Sequence, residues 1–563
     1  MGATDKPVIN HKELIAYFSM EIGLDEKIPT YAGGLGVLAG DYIKSAADLE
    51  APVVGLTLLN GKGFFTQRFD PEGNQREEET PWNPGKYMTP VEKVVEVPID
   101  ERRVYVKAWV YNAVGVTGYV VPVIFLDTDL IQNYEMDRAI TGYLYGGDKE
   151  YRLKQEIVLG IGGVRMLDKL GIHVKKFHMN EGHSSLLGLE LMNRELEKNP
   201  KKPMAHVVDG LKNRCIFTTH TPMLTGHDTF PYPMVDRVLR GYMDPALIRK
   251  QCPGDYLNMT LLGFNLSGYI NGVAKKHAEV SKDMFPAYKI NSVTNGVHPD
   301  TWVCPAYKRL FDRYIKDWRK DPFLFRYAIG MPLEDIQAAH AEAKGEFIDY
   351  MNREHSASMD EDTLTLGFAR RMTSYKRPTF VFSDVERLKK IAKGNGGLQM
   401  VFSGKAHPED VKGKSIIKDI LSIKKALKDD IKITYIENYN MAVAKKLISG
   451  VDVWLNTPQK PKEASGTSGM KATLNGVLNL SVLDGWWIEG HIEEVTGWAI
   501  GNSEENDDKE LADFYDKLEH IYDMFYHSPD RWTKMMRHAL SINASFFNSH
   551  RMVEQYITNA YWD

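Results

Sequence analysis

TLTLGFARRMTSYKRPTFVFSDVERLKKIAK, residues 363–393, decides the fold. It opens on a short apolar run, TLTLGF (363–368), and breaks into a basic loop. It then continues as an amphipathic stretch that reads as a helix from Pro378 to Lys393, because proline suits a first helical turn. The rhythm repeats downstream. LQMVFSG (398–404), KITYIE (432–437) and VDVWLN (451–456) are strand-like, and SIIKDILSIKKALKD (415–429) and MAVAKKLIS (441–449) are helix-like. Apolar strands alternating with helices predict a parallel sheet covered on both faces.

The first half has a similar grain. AYFSM (16–20), VVGLTLL (53–59), VYVKAWVY (104–111), YVVPVIFL (119–126), KKFHMN (175–180) and RCIFTTH (214–220) read as strands. YRLKQEIVLGIGGVRMLDKLG (151–171) reads as a helix closed by glycine, and SSLLGLELMNREL (184–196) as another. Residues 299–360 are charged and helix-like, so a boundary falls near residue 300. A chain of 563 residues exceeds one hydrophobic core. The expected fold class is therefore α/β: two doubly wound parallel-sheet domains, 1–300 and 301–563, around a cleft, with the last helix crossing back. Ligands in such folds bind at the carboxyl ends of the strands. NEGH (180–183), THTP (219–222), RRMTSYKR (370–377), SGKAHP (403–408) and ENYN (437–440) each follow a strand, and EASGTSGMK (463–471) comes shortly after one.

Composition excludes several classes. An apolar fraction of 43 %, a charged fraction of 26 % and a net charge of −5 describe an ordinary globular protein. No polybasic tract argues for nucleic acid or an anionic membrane. Cys215, Cys252 and Cys304 form no CxxC, which suits a reducing compartment and gives no zinc or disulfide framework. The amino-terminal MGATDKPVINHKEL lacks the apolar core of a secretory signal, and Lys6 stands where a myristoylation motif needs serine or threonine. IVLGIGGV (157–164) is too short to span a bilayer. The expected location is the cytoplasm.

The loops carry the chemistry. Arg370, Arg371, Lys376 and Arg377 lie between a strand and the helix expected at Pro378. Such a cluster reads either as an anion site aided by helix amides or as a solvated basic turn. GGLG (33–36) is either a phosphate-approaching glycine loop or a plain turn; it fits neither GxGxxG nor the P-loop. His183 and His220 stand at strand ends without metal-ligand spacing, and no metal site is expected. Glu181, Glu463 and Asp484 have no local carboxylate partner, and no GxSxG elbow occurs. Lys471 differs. It follows Ala464, Ser465, Gly466, Thr467, Ser468 and Gly469, a run that leaves the backbone accessible to a flat ligand. A desolvated amine there would be nucleophilic toward an aldehyde such as pyridoxal 5′-phosphate; an unremarkable helix lysine is the other reading.

EASGTSGMKATLNG (463–476), followed by LDG (483–485), closely resembles the cofactor-lysine segment of the α-glucan phosphorylases, the glycogen, starch and maltodextrin phosphorylases. GGLG, NEGH, THT, TNGVHPDTW (294–302), RRMTSYKR, SGKAHP and ENYN resemble family segments in family order. The resemblance implies the GT-B architecture and pyridoxal 5′-phosphate held by Lys471 as a Schiff base. Gly33, Gly34, Trp302, Arg370, Tyr439 and Thr467 would surround the cofactor. Arg371 and Lys376 would bind substrate phosphate. His220, Asn295, Glu463, Ser465 and Gly466 would contact the glucosyl unit, with Leu35 near it. The implied partners are an α-1,4-glucan and inorganic phosphate, and the implied product is α-glucose 1-phosphate formed with retention. The cofactor phosphate would act as the acid–base group. The family also suggests a homodimer.

Departures qualify the match. Thr373 and Glu181 stand where longer members usually carry histidine and aspartate, and PQKPK (458–462) replaces a small-residue lead-in. The expected form is short, without the amino-terminal extension that carries phosphorylation and nucleotide control in animal enzymes. The alternative functions are a GT-B transferase using a sugar nucleotide, as in glycogen synthases, and a glucan-binding protein without activity. Trp486 and Trp487 could stack on sugars, with core packing expected for at least one.

Overall fold

The computed structural model describes residues 13–394, 396–501 and 507–562. They fall into two compact units, one of residues 13–65, 79–293 and 552–562 and the other of residues 66–78 and 294–551.

The first unit is built on a nine-stranded sheet. From one edge run Asn291–Ser292, Tyr269–Gly272, Cys215–Thr218, Val174–Asn180, Leu14–Phe18, Val53–Leu58 and Val120–Asp127, all parallel. Arg102–Val114 and Thr89–Ile99 extend the far edge antiparallel, outside the parallel, doubly wound part of the sheet. The cause is local. Asp100 and Glu101 both have positive φ, 50° and 61°, the geometry of a two-residue hairpin turn, and so short a link cannot cross the sheet. Leu14–Phe18 is buried throughout, as a central parallel strand requires.

The helix expected over 151–171 is present but contains a π turn, Val158–Gly162, between Lys149–Ile157 and Gly163–Lys169. Its glycines permit close packing: a Cβ on Gly160 would sit 2.6 Å from the Leu187 amide nitrogen. The carboxyl-terminal residues pack on the same unit. The Tyr561 hydroxyl lies 2.6 Å from that of Tyr42 and 2.7 Å from His178 Nδ1.

The second unit holds a six-stranded, fully parallel sheet. Its order is Lys432–Ile436, Leu398–Ser403, Leu364–Ala369, Val453–Asn456, Leu478–Val482, Gly497–Ile500. The first strand in sequence is thus central, as in dinucleotide-binding sheets, and the order reverses between Leu364–Ala369 and Val453–Asn456. The helix expected from Pro378 begins later. Phe380–Phe382 is a single 3-10 turn, and the helix runs Val385–Ala392, where the Asp384 carboxylate accepts the Arg387 amide. Asp384 satisfies a helix amide, which Pro378 cannot do, so the aspartate sets the start. The hairpin Thr66–Phe69/Gln75–Glu78 belongs to this unit and braces the SGKAHP loop. Gln67 Nε2 donates to the Gly404 carbonyl and Gln75 Nε2 to that of Ala406, each at 2.9 Å.

Asp452 pins the two central strands. Its Oδ2 accepts from Lys344 Nζ at 2.7 Å and the Thr365 amide at 2.8 Å, and Oδ1 meets His340 Nε2 at 2.9 Å. Replacing Asp452 with alanine strands the buried Lys344 ammonium and should cost ~3–5 kcal/mol. A urea-unfolding midpoint equal to wild type would contradict this.

Candidate active site

In the second unit, the cationic loop leaves Ala369 at the carboxyl end of the central strand, and Glu463 follows Val453–Asn456 across the point of reversal. The geometry joins them. One oxygen of Glu463, Oε2, accepts from Lys376 Nζ at 2.5 Å and from Arg370 Nη2 at 2.8 Å. Burial pushes the Glu463 carboxyl up, but Arg370 and Lys376 outweigh it and hold the group at about 2. Its backbone amide donates to Asp484 Oδ2 at 2.8 Å. Burial and the nearby Glu463 charge raise the Asp484 carboxyl to about 6, against bonds from backbone amides.

One carboxylate here serves two cations. Arg370 keeps Nε and Nη1 buried without a hydrogen-bond partner in the protein, and Ser465 Oγ and Asn295 Oδ1 are likewise buried and unsatisfied. Buried donors on a cation are costly unless an acceptor arrives, so the cluster is built to receive an anion. The helix after the basic loop does not bring its N-terminus to the loop, because it begins beyond Asp384. Arg371 is exposed. Lys405, in the loop after Leu398–Ser403, is lowered by burial to about 7.

Lys471 lies on the short helix Ser468–Thr473 and is buried. Its Nζ stands 3.9 Å over the Trp302 ring centroid. Asn475 ties the pair together, donating from Nδ2 to the Trp302 carbonyl at 2.9 Å and the Lys471 carbonyl at 3.0 Å. Thr467 accepts the Lys471 amide through its carbonyl. Tyr439 is half-buried after the strand Lys432–Ile436. The small residues have a second purpose. A Cβ on Gly469 would sit 2.4 Å from Asn479 Oδ1 and 2.9 Å from Trp486, so this glycine is set by helix packing. Gly466 occupies φ +80°, a turn that favours glycine. Trp486 and Trp487 are both buried, their centroids 5.0 Å apart, and serve the core.

In the first unit, Asn180, Glu181 and His220 meet at adjacent strand ends. Asn180 Nδ2 donates to Ser19 Oγ, so its Oδ1 faces His220 Nε2 at 2.6 Å and selects the Nε2–H tautomer. Glu181 Oε2 accepts the His220 amide at 2.6 Å and the Thr221 hydroxyl at 3.0 Å. Burial drives His220 well below the usual histidine value, with His277, His178 and His183 adding to the effect, so the imidazole is neutral. Burial raises Glu181 to about 7 despite those bonds. Gly33, Gly34 and Leu35 open the helix Gly34–Asp48, and a Cβ on either glycine would meet nothing within 4 Å. Sequence reasoning passed over Asn180 as a partner and Glu21 altogether; the polar residues directly after buried strands were the available signal.

The cation cluster lies where the strand order of the parallel sheet reverses, and the buried Lys471 follows on the helix after Glu463; parallel α/β sheets bind ligands at such a reversal. The family model described as Carbohydrate phosphorylase matches residues 243–506. A maltodextrin phosphorylase of Thermococcus litoralis is 38 % identical over 98 % of this chain and 70 % of its own length. A glycogen phosphorylase of Aquifex aeolicus is 36 % identical over 98 % of this chain and 86 % of its own. An uncharacterised protein of Methanocaldococcus jannaschii is 31 % identical over 97 % of this chain and 99 % of its own. The chain belongs to the carbohydrate phosphorylase family.

Two tests follow from the electrostatics. Glu463→Gln leaves the buried Lys376 and the half-buried Arg370 side by side without their carboxylate, so the variant should melt lower at pH 7, and inorganic phosphate should raise its Tm more than wild type's; equal phosphate shifts would count against an anion site. For Glu181, a carboxyl raised from 4.5 to about 7 contributes stability that is present below about 4.5 and lost as pH rises through about 7. The Tm of Glu181→Gln minus that of wild type should therefore grow between pH 5 and 8, and a constant difference would refute the assignment.

Proposed function

We propose that the chain is an α-1,4-glucan phosphorylase that cleaves non-reducing ends with inorganic phosphate to α-glucose 1-phosphate, with retention. The observation that carries this reading is the surplus positive charge at Arg370 and Lys376 around a single carboxylate, on the same loop system as buried Lys471.

The family is known to use pyridoxal 5′-phosphate, and the residues present fit it: a buried amine against an indole face, and a guanidinium with buried, unpartnered N–H groups. Lys471 would hold the cofactor, with Trp302, Thr467, Tyr439, Arg370, Gly33 and Gly34 around it. When bound, the cofactor supplies a phosphate with acid–base capacity at neutral pH.

The side chains do the rest. Lys376 and Arg371 bind the substrate phosphate, and Arg370 offers its buried N–H groups to phosphate oxygens. Two phosphate groups held close repel, and several cations in a partly dry site are needed to offset this. Glu463, Ser465, Gly466 and Asn295 fix sugar hydroxyls. Neutral His220, its Nε2–H locked on Asn180, can accept from a sugar hydroxyl at Nδ1 without adding charge. No protein carboxylate pair has to shuttle the proton, in keeping with a Glu463 that stays ionised. The reading places the enzyme in the cytoplasm as a homodimer acting on glycogen, starch or maltodextrin.

Maltodextrin plus phosphate should yield glucose 1-phosphate, and borohydride followed by peptide mapping should place a pyridoxyl group on Lys471. An unlabelled Lys471 with turnover of a sugar nucleotide would replace this reading with a nucleotide-dependent transferase. Lys376→Ala should lower kcat by about 100-fold while the cofactor absorbance is retained.

A further inference from the structure

We infer that Glu21 is a positioning residue for the glycine loop: it takes the amides of Ala32 and Gly33 and leaves those of Gly34 and Leu35 to face the ligand. This rests on the phosphorylase reading for the identity of that ligand, but its geometry lies wholly within the first unit.

The strand Leu14–Phe18 ends at Ser19, and Glu21 emerges beside it, 3 % exposed. Its Oε2 accepts the Ala32 amide at 2.5 Å and the Gly33 amide at 3.3 Å. Its other oxygen, Oε1, accepts the Tyr145 hydroxyl at 2.8 Å. Tyr145 is held in turn, because the Arg152 guanidinium lies 4.7 Å over its ring, and Arg152 pairs with Glu156 at 3.1 Å and Asp228 at 3.2 Å. The carboxylate is therefore anchored from one side and grips the loop from the other.

The packing leaves no slack. A Cβ on Gly36 would lie 2.5 Å from Glu21 Oε2, and a Cβ on Gly40 would lie 1.9 Å from the Gly23 carbonyl oxygen. The Gly23 amide donates to the Gly36 carbonyl at 2.7 Å. The start of the helix is thus pressed against the segment that carries Glu21. On the opposite side, built Cβ atoms at Gly33 and Gly34 meet nothing within 4 Å.

An α-helix leaves its first amides without intrahelical acceptors, and these with the helix dipole attract anions. The Glu21 carboxyl oxygen occupies the acceptor position at residues 32 and 33. A phosphate oxygen or sugar hydroxyl is then restricted to Gly34 and Leu35, in one orientation. A loop free to swing would offer four amides in many poses and lose that selectivity.

The test uses the holoenzyme with Glu21→Ala, Glu21→Gln and Tyr145→Phe. It reads inorganic-phosphate Kd by calorimetry, kcat/KM for phosphate per bound cofactor, and amide hydrogen exchange over residues 31–36. Glu21→Ala should weaken phosphate binding and kcat/KM about 10-fold or more and speed exchange at Ala32 and Gly33, as loss of the acceptor for two buried amides predicts. Glu21→Gln should stay within about 3-fold of wild type, since its amide oxygen still accepts both N–H groups. Phosphate affinity and exchange in Glu21→Ala equal to wild type would overturn the inference, as would a Gln variant as damaged as the Ala variant. If Glu21→Ala does not fold, Tyr145→Phe decides: faster loop exchange with weaker phosphate binding supports the role, and wild-type values of both overturn it. A wild-type holoenzyme that releases no glucose 1-phosphate defeats the functional reading instead, and the exchange data still judge the anchor.

Discussion

The second unit is organised by an imbalance: two cations, the buried Lys376 and the half-buried Arg370, share one oxygen of Glu463. Burying a charge is expensive, and a pair repays it only with full neutralisation and hydrogen bonding. Here neutralisation is incomplete, so the surrounding structure must hold the cluster in place. Arg377, beside Lys376, sits at φ +45°, a strained conformation for a side chain of its size. It is held there by bonds to the Thr457 and Pro458 carbonyls and by an ion pair with Glu510 at 2.6 Å. Thr457 returns a bond from its hydroxyl to the Lys376 carbonyl. The two strands that deliver the loops are cross-linked by Asp452, and the neighbouring loop is braced by the Gln67–Gln75 hairpin. Sheet order thus sets where the charges meet, and local bonds stop them moving apart.

The first unit solves a different problem by opposite means. There burial dominates: His178 and His183 are lowered to about 3, His220 lies well below its usual value, and Glu181 rises to about 7. His220 and Glu181 at its strand ends are thus pushed toward neutrality and held by directed hydrogen bonds. Such a surface suits a sugar, which carries many hydroxyls and no charge, whereas the surplus cations of the second unit suit phosphate. The division of chemistry follows from whether each buried group was given an opposite charge.

The parallel sheet of the second unit was legible because its strands are buried on both faces and read as unbroken apolar runs. Thr89–Ile99 was not, since its half-exposed pattern PVEKVVEVPI mixes charge with apolar residues. The late helix start at Asp384 was missed because Pro378 gave a competing start signal. Arg370 and Lys376 were legible as a basic cluster and Glu463 as an isolated acid, but no spacing rule could have paired them, since the pairing depends on strand order. Glu21 was invisible for the same reason: its partners Ala32 and Gly33 meet it only through the turn that carries the chain back, and Tyr145 lies far off in sequence.

The lysine segment shows why a motif can be specific without each residue touching a ligand. Gly466 is required by its φ of +80°, which turns the chain after Glu463. Ser468 Oγ accepts from the Trp454 indole at 3.1 Å, tying the helix to the strand before it. Gly469 gives way to Asn479 and Trp486, and Asn479 Nδ2 donates to the Gly469 carbonyl at 3.2 Å. Asn475 joins Lys471 to Trp302. The small side chains therefore seat a short helix against buried indoles, and that seat fixes Lys471 relative to Glu463. The openness that first drew attention to the segment arises where packing and turn geometry forbid a Cβ, so fold and chemistry place the same demand on the same glycines.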